Sequence, residues 1–144
     1  MTILILILEL LLMPARSLAA EPPACARTVS ADKPFTLRQN ECVLVAKKLT
    51  IRFLTVKEDS RCPDDVTCVL AGNARAIFSI EAHGLAPSKI KLDTTSRGLE
   101  PDMATAAVFS GYRITLVKLA PSPKSREVIP PGSYIATLSV SKNK

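Results

Sequence analysis

The chain has 144 residues, a formal net charge of +6, four cysteines, a single histidine and no tryptophan. That length argues for one domain with one hydrophobic core. The basic residues, from Lys47 and Lys48 through Lys89 and Lys91 to Lys142, are scattered rather than tracked along one segment. There is no glycine-rich phosphate loop either, and the pattern argues against a nucleic-acid binder.

The chain opens with an apolar run over residues 3–13, interrupted only by Glu9, and "SLAA" supplies small residues for cleavage near Ala19 or Ala20. Residues 1–20 therefore read as a signal peptide, although no Lys or Arg precedes the run and Arg16 follows it. The run is shorter than the roughly 20 apolar residues of a stable membrane span, so no span is expected after cleavage. "PPAC" lacks the leucine that a lipid-modified Cys25 would need three residues earlier. Residues 21–34 are a proline-containing extended lead-in, and 35–144 form the expected domain. The expected location is periplasmic or secreted.

"FTL" (35–37) starts a strand, "QNE" is a turn, and "CVLVA" (42–46) is a short apolar strand. "KKLTIRFLTVKE" (47–58) alternates, with Leu49, Ile51 and Phe53 on one face and Arg52 on the other. That is the period of a half-buried strand. Then comes "DSRCPDDVTC" (59–68), with two cysteines, a proline and four charged side chains. In an oxidising compartment four cysteines imply two disulfides, with three possible connectivities. The sequential pairing, Cys25–Cys42 and Cys62–Cys68, is favoured because five intervening residues close easily around Pro63. On the chain-entropy account the bridges stabilise by about 3 and about 2 kcal/mol respectively.

Other chemistries for this stretch fit less well. Redox pairs use C-x-x-C at a helix start. Zinc needs four Cys or His ligands, and His83 stands alone, so no metal ligands are assigned. Glu58, Asp59, Asp64 and Asp65 could surround Ca²⁺, but no EF-hand spacing is present and Arg61 sits among them. The stretch reads as a stapled connection. It offers Asp59, Arg61, Asp64, Asp65 and the following Asn73 as a candidate binding loop.

"VKEDSRCPDDVTCVLAGNARAIFSI" (56–80) resembles a motif of small exported bacterial proteins of uncharacterised function, V-x-D-S-R-C-P-x-x-V-x-C-V-W-A-G-x-A. Asp59, Ser60, Arg61, Cys62, Pro63, Val66, Cys68, Val69, Ala71, Gly72 and Ala74 match it, and Leu70 stands where the motif has tryptophan. "GYRITLVKLAPSP" and "GSYIATLSV" are similar to that family's closing strands. The resemblance implies an exported β-rich domain with a Cys62–Cys68 bridge. It implies no activity.

"NARAIFSIEA" (73–82) places Ala74, Ala76, Phe78 and Ile80 on one face, and "HG" turns the chain into "SKIKLD" (88–93) with Ile90 and Leu92 inward. Residues 94–107 read equally as loop or short helix. "AVFSGYRITLVKLA" (107–120) reads as one strand with a bulge at Gly111. A polar connection over 121–132 leads to "SYIATLSV" (133–140), with Tyr134, Ala136, Leu138 and Val140 inward. Seven or so short strands at this spacing predict an all-β chain, an antiparallel β-sandwich stapled by disulfides. An immunoglobulin-like arrangement comes first and a small β-barrel second.

Catalytic groups are sparse. His83 lies in a turn, and a Cys–His pair fails if every cysteine is bridged. All six aromatic residues fall in predicted strands, which leaves no stacking platform for sugars or single-stranded nucleic acid. The expectation is a non-enzymatic binding or structural module without a cofactor, engaging a protein or an envelope component. The alternative is a hydrolytic or metal-assisted enzyme using the acids at 58–65.

Overall fold

The computed structural model describes Cys25, residues 27–95 and residues 104–143; the leader assigned to 1–20 lies outside these. Among the described residues nine strands form: β1 (Arg27–Val29), β2 (Phe35–Arg38), β3 (Cys42–Val45), β4 (Leu49–Lys57), β5 (Arg75–Ala82), β6 (Ser88–Asp93), β7 (Ala106–Phe109), β8 (Tyr112–Ala120) and β9 (Ile135–Lys142). They make two sheets, β1-β3-β4-β5-β6 and β2-β9-β8-β7, packed face to face. The all-β sandwich stands, and two sheets with separate edges replace the barrel alternative.

Alternation along the strands builds the core. Leu49, Ile51 and Phe53 of β4 and Ala76, Phe78 and Ile80 of β5 face inward, fully buried. From the other sheet come Leu37, Ile114, Ala136, Leu138 and Val140, equally buried. Phe53 stacks on Phe78 with ring centroids 4.9 Å apart, a contact that adds about 1 kcal/mol to the burial itself. Two bulges adjust the pattern. In β8 the register shifts between Leu116 and Lys118, which leaves Val117 exposed and returns Leu119 to the core. In β4 it shifts between Phe53 and Thr55.

Both disulfides join the sequential partners, Cys25 to Cys42 and Cys62 to Cys68, and no cysteine is free. Such bridges fit a chain that matures in an oxidising compartment.

Three sequence expectations change. The lead-in contains β1, which pairs parallel with β3 from Arg27↔Val43 to Val29↔Val45. The cause is the bridge from Cys25 to the first residue of β3, which lays the following residues alongside that strand. The single strand over 107–120 is a hairpin, β7–β8, because Phe109 pairs with Tyr112 around Ser110 and Gly111. Both turn residues have positive φ, 48° and 76°, the conformation that suits a two-residue turn to the twist of its strands. Lys47 and Lys48 belong to the β3–β4 turn rather than to β4.

Pairing sets Lys57 beside Arg75 beside Asp93 in one sheet, and Ala120 beside Ile135 beside Arg38 in the other. The connections 58–74 and 121–134, the turn after β2 and the start of the connection after β6 therefore gather at one end of the sandwich.

Candidate functional site

The 58–74 connection is a closed neck with a stapled tip. Across the neck the Ser60 amide donates to the Asn73 carbonyl at 2.7 Å and the Cys62 amide to the Ala71 carbonyl at 3.0 Å. The Ser60 hydroxyl adds a bond to the Asn73 carbonyl at 3.0 Å and accepts one from the Asn73 amide at 3.2 Å. Such close strands need Gly72, whose φ is +67° and whose missing Cβ would lie 1.8 Å from the Ser60 carbonyl oxygen. The Cys62–Cys68 bridge then ties the tip, with Cα atoms 5.9 Å apart.

Arg61 fastens the neck to the second sheet. Its Nε and Nη2 donate to the two oxygens of Asp59 at 2.8 and 2.7 Å. Its Nη1 reaches the Leu119 carbonyl at 2.6 Å, and Nη2 also reaches the Pro121 carbonyl at 2.9 Å. The Tyr134 hydroxyl completes the Asp59 carboxylate at 3.0 Å. Arg61 and Asp59 side chains are each only 13% exposed, so this pair is a planar, two-pronged contact shielded from water. Burial pushes the Asp59 carboxyl up, but the hydrogen bonds and charge of Arg61, with help from Tyr134, outweigh it and hold it below its ordinary value. Burial raises the Tyr134 phenol, and Asp59 raises it further.

A carboxyl held below its ordinary value stabilises the fold above about pH 4 and loses that contribution as pH falls through the folded-state value. Asp59→Asn is therefore expected to flatten the fall in Tm below about pH 4. Thermal melts from pH 6 to pH 2 check this, and an unchanged slope would remove Asp59 as its source.

A third knot lies on the far side of the neck. Asp93 is fully buried and accepts from Asn73 Nδ2 at 2.7 Å, Arg75 Nε at 3.1 Å and the Ala104 amide at 3.2 Å. Asn73 turns its own oxygen to the amides of Thr94 and Thr95, at 3.0 and 3.2 Å. Arg75 also faces Glu58 at 3.6 Å.

The five residues expected as a binding loop thus separate. Asp59, Arg61 and Asn73 are turned into the fold as anchors. Asp64 and Asp65 are exposed and tie the tip to the β8–β9 connection. The Asp64 amide donates to the Pro123 carbonyl at 3.0 Å. Asp65 accepts from the Ser125 amide and hydroxyl at 2.9 and 2.6 Å, and these bonds lower its carboxyl pKa. The acids at 58–65 consequently face different partners, and among the described residues no group of three or more His, Cys, Asp or Glu could hold a metal ion. His83 is exposed in the β5–β6 turn, at the opposite end of the sandwich.

Attention to charge missed the apolar residues of the tip. Val66, Val69 and Leu70 are 46, 101 and 66% exposed, and Val128 on the tethered β8–β9 connection is 91% exposed. Their signal was there: "VL" between Cys68 and Gly72 belongs to no periodic segment, so no strand buries it. The tip offers a rigid apolar rim flanked by two carboxylates, and the disulfide reduces the entropy lost when such a surface is covered.

No protein-family model matches the chain, and neither a curated protein nor a solved structure is similar to it.

Proposed function

We propose that the protein is an exported binding module, periplasmic or secreted, which contacts another protein through the tip of its stapled loop. The observation that carries this reading is the full exposure of Val69 beside Leu70 on a loop held by a disulfide and three hydrogen-bonded anchors. An isolated exposed valine is ordinary; two on a stiff projection, with Val66 and Val128 nearby in the tied segments, make a contact surface. Asp64 and Asp65 fit a partner with a basic rim around an apolar pocket. The same reading makes the chain a relative of the small exported proteins whose D-S-R-C-P motif it resembles, with Leu70 presenting the apolar group at the tryptophan position. The protein works without catalysis. The hydrolytic alternative lacks comparable support, because its carboxylates are engaged separately.

The test compares capture from an envelope fraction by the oxidised protein and by Val69→Asp/Leu70→Asp. A specific partner should be lost about tenfold or more with the loop variant, the worth of about 1.4 kcal/mol. It should be kept by Val108→Asp and Val117→Asp, which charge exposed valines on another face. Equal retention by all variants would refute the loop as the contact.

A further inference from the structure

The outer face of the β2-β9-β8-β7 sheet has a composition unlike the rest of the molecule. Its four strands contain Arg38, Arg113, Lys118 and Lys142 and not one Asp or Glu. The other sheet carries Glu81 and Asp93 among its cations. Register defines the outward rows. Thr36 pairs with Thr137, which pairs with Lys118; Ser139 pairs with Thr115, which pairs with Ala106; Ser141 pairs with Arg113, which pairs with Val108. Arg38 stands at one corner, beside Ile135. The face thus carries five hydroxyl side chains crossed obliquely by Arg38, Lys118 and Arg113, with the exposed Val108 and Val117 beside them.

Strand geometry puts Arg38 and Lys118 about 12 Å apart, Lys118 and Arg113 about 14 Å apart, and the two end rows about 20 Å apart. These three cations are exposed, and among the described residues none is in an ion pair. Glu41, in the turn after β2, gives its carboxylate to the Arg38 amide at 3.0 Å. Arg27 donates to the Thr36 carbonyl, which adds a further cation at the β2 edge.

The geometry points to this face as a docking surface for a linear acidic polysaccharide. Sugar carboxylates accept forked bonds from Arg and a point contact from Lys. Sugar hydroxyls exchange donor and acceptor roles with Thr and Ser hydroxyls. A rigid row of about 20 Å suits an extended chain with its charges spaced along it. A lipid surface fits less well, since elements that lie on bilayers insert Trp, Phe or Leu, and the exposed large apolar residues of these strands are only the short Val108 and Val117. Single-stranded nucleic acid would want aromatic platforms, which the face lacks. This surface is separate from the loop tip, so either can fail alone.

Fluorescence anisotropy with labelled polygalacturonate, using the full oxidised protein at about 50 mM salt, tests the inference, because low salt leaves surface charge least screened. The wild type should bind polygalacturonate and ignore neutral dextran. Arg38→Gln/Arg113→Gln/Lys118→Gln should weaken binding about tenfold. Lys57→Gln/Lys89→Gln/Lys91→Gln removes the same charge from exposed sites on the other sheet and should change binding less than about twofold. Arg38→Lys/Arg113→Lys, which keeps the charge but loses the fork, should bind more weakly than the wild type and more tightly than the Arg38→Gln/Arg113→Gln/Lys118→Gln variant. Equal loss in both triple variants would reduce the effect to net charge and overturn the assignment. So would failure to bind polygalacturonate, or tighter binding to phosphatidylglycerol vesicles or single-stranded DNA.

Discussion

Gly72→Ala is expected to cost roughly 4 kcal/mol and to open the neck of the stapled loop. Two effects add. A left-handed backbone costs a non-glycine residue about 1–2 kcal/mol, and Gly72 has φ +67°. The added Cβ would also lie 1.8 Å from the Ser60 carbonyl oxygen and 2.7 Å from its carbon. Those are backbone atoms, so no side chain can swing aside. The strands of the neck must part, and the bonds from Ser60 to Asn73 and from Cys62 to Ala71 weaken with them, each worth about 1 kcal/mol. Gly84→Ala and Gly111→Ala are the controls. Both glycines have positive φ, and an added Cβ meets nothing within 4 Å, so only the backbone term of about 1–2 kcal/mol applies. Denaturant melts of the three variants measure the difference. A Gly72→Ala cost no larger than that of Gly111→Ala would show that the close approach to Ser60 is not maintained in solution.

Asp93→Ala should cost about 3–4 kcal/mol, because it removes one partner from a buried charged network and leaves others uncompensated. Asn73 Nδ2 and the Ala104 amide lose their acceptor, and the Arg75 guanidinium loses a fully buried counter-charge while keeping Glu58. For a domain of this size such a loss lowers Tm by about 10–20 °C. Asn73 is coupled to Asp93 directly, so Asn73→Ala and Asp93→Ala together should cost less than the sum of the two by about 1–2 kcal/mol. Thermal melts of the two single variants and the double variant close this cycle. A loss under about 1 kcal/mol for Asp93→Ala, or strict additivity, would mean that water replaces the carboxylate and the knot does not hold the loop. The effect should reach the Arg61 side little, since that anchor bonds to Leu119, Pro121 and Tyr134 instead.

Much of the fold is legible in the order of the residues. Leu49, Ile51 and Phe53, or Ala76, Phe78 and Ile80, alternate with period two, and a sheet face must bury such a row whatever its neighbours. The turn over 110–111 was also written there, but Ser-Gly is a weaker hairpin signal than Asn-Gly, and continuous apolar character on both sides hid it. β1 was hidden for another reason: three residues carry no periodicity, and only the bridge from Cys25 to Cys42 gives them a strand to lie against.

The site divides the same way. Local sequence determined that residues 59–72 form a stapled, charged connection between two strands, because cysteine spacing, a proline and the absence of periodicity are short-range properties. What its charges are tied to depended on groups about 60 residues away: the Leu119 carbonyl for the inward-turned Arg61 and Ser125 for the exposed Asp65. Packing two sheets sets those distances, and a hydrogen bond exists only where they come out near 3 Å. The acid-free outer face likewise became visible only when register placed Thr36, Thr137 and Lys118 in one row. Alternation says that a residue points outward; strand pairing alone says what stands beside it.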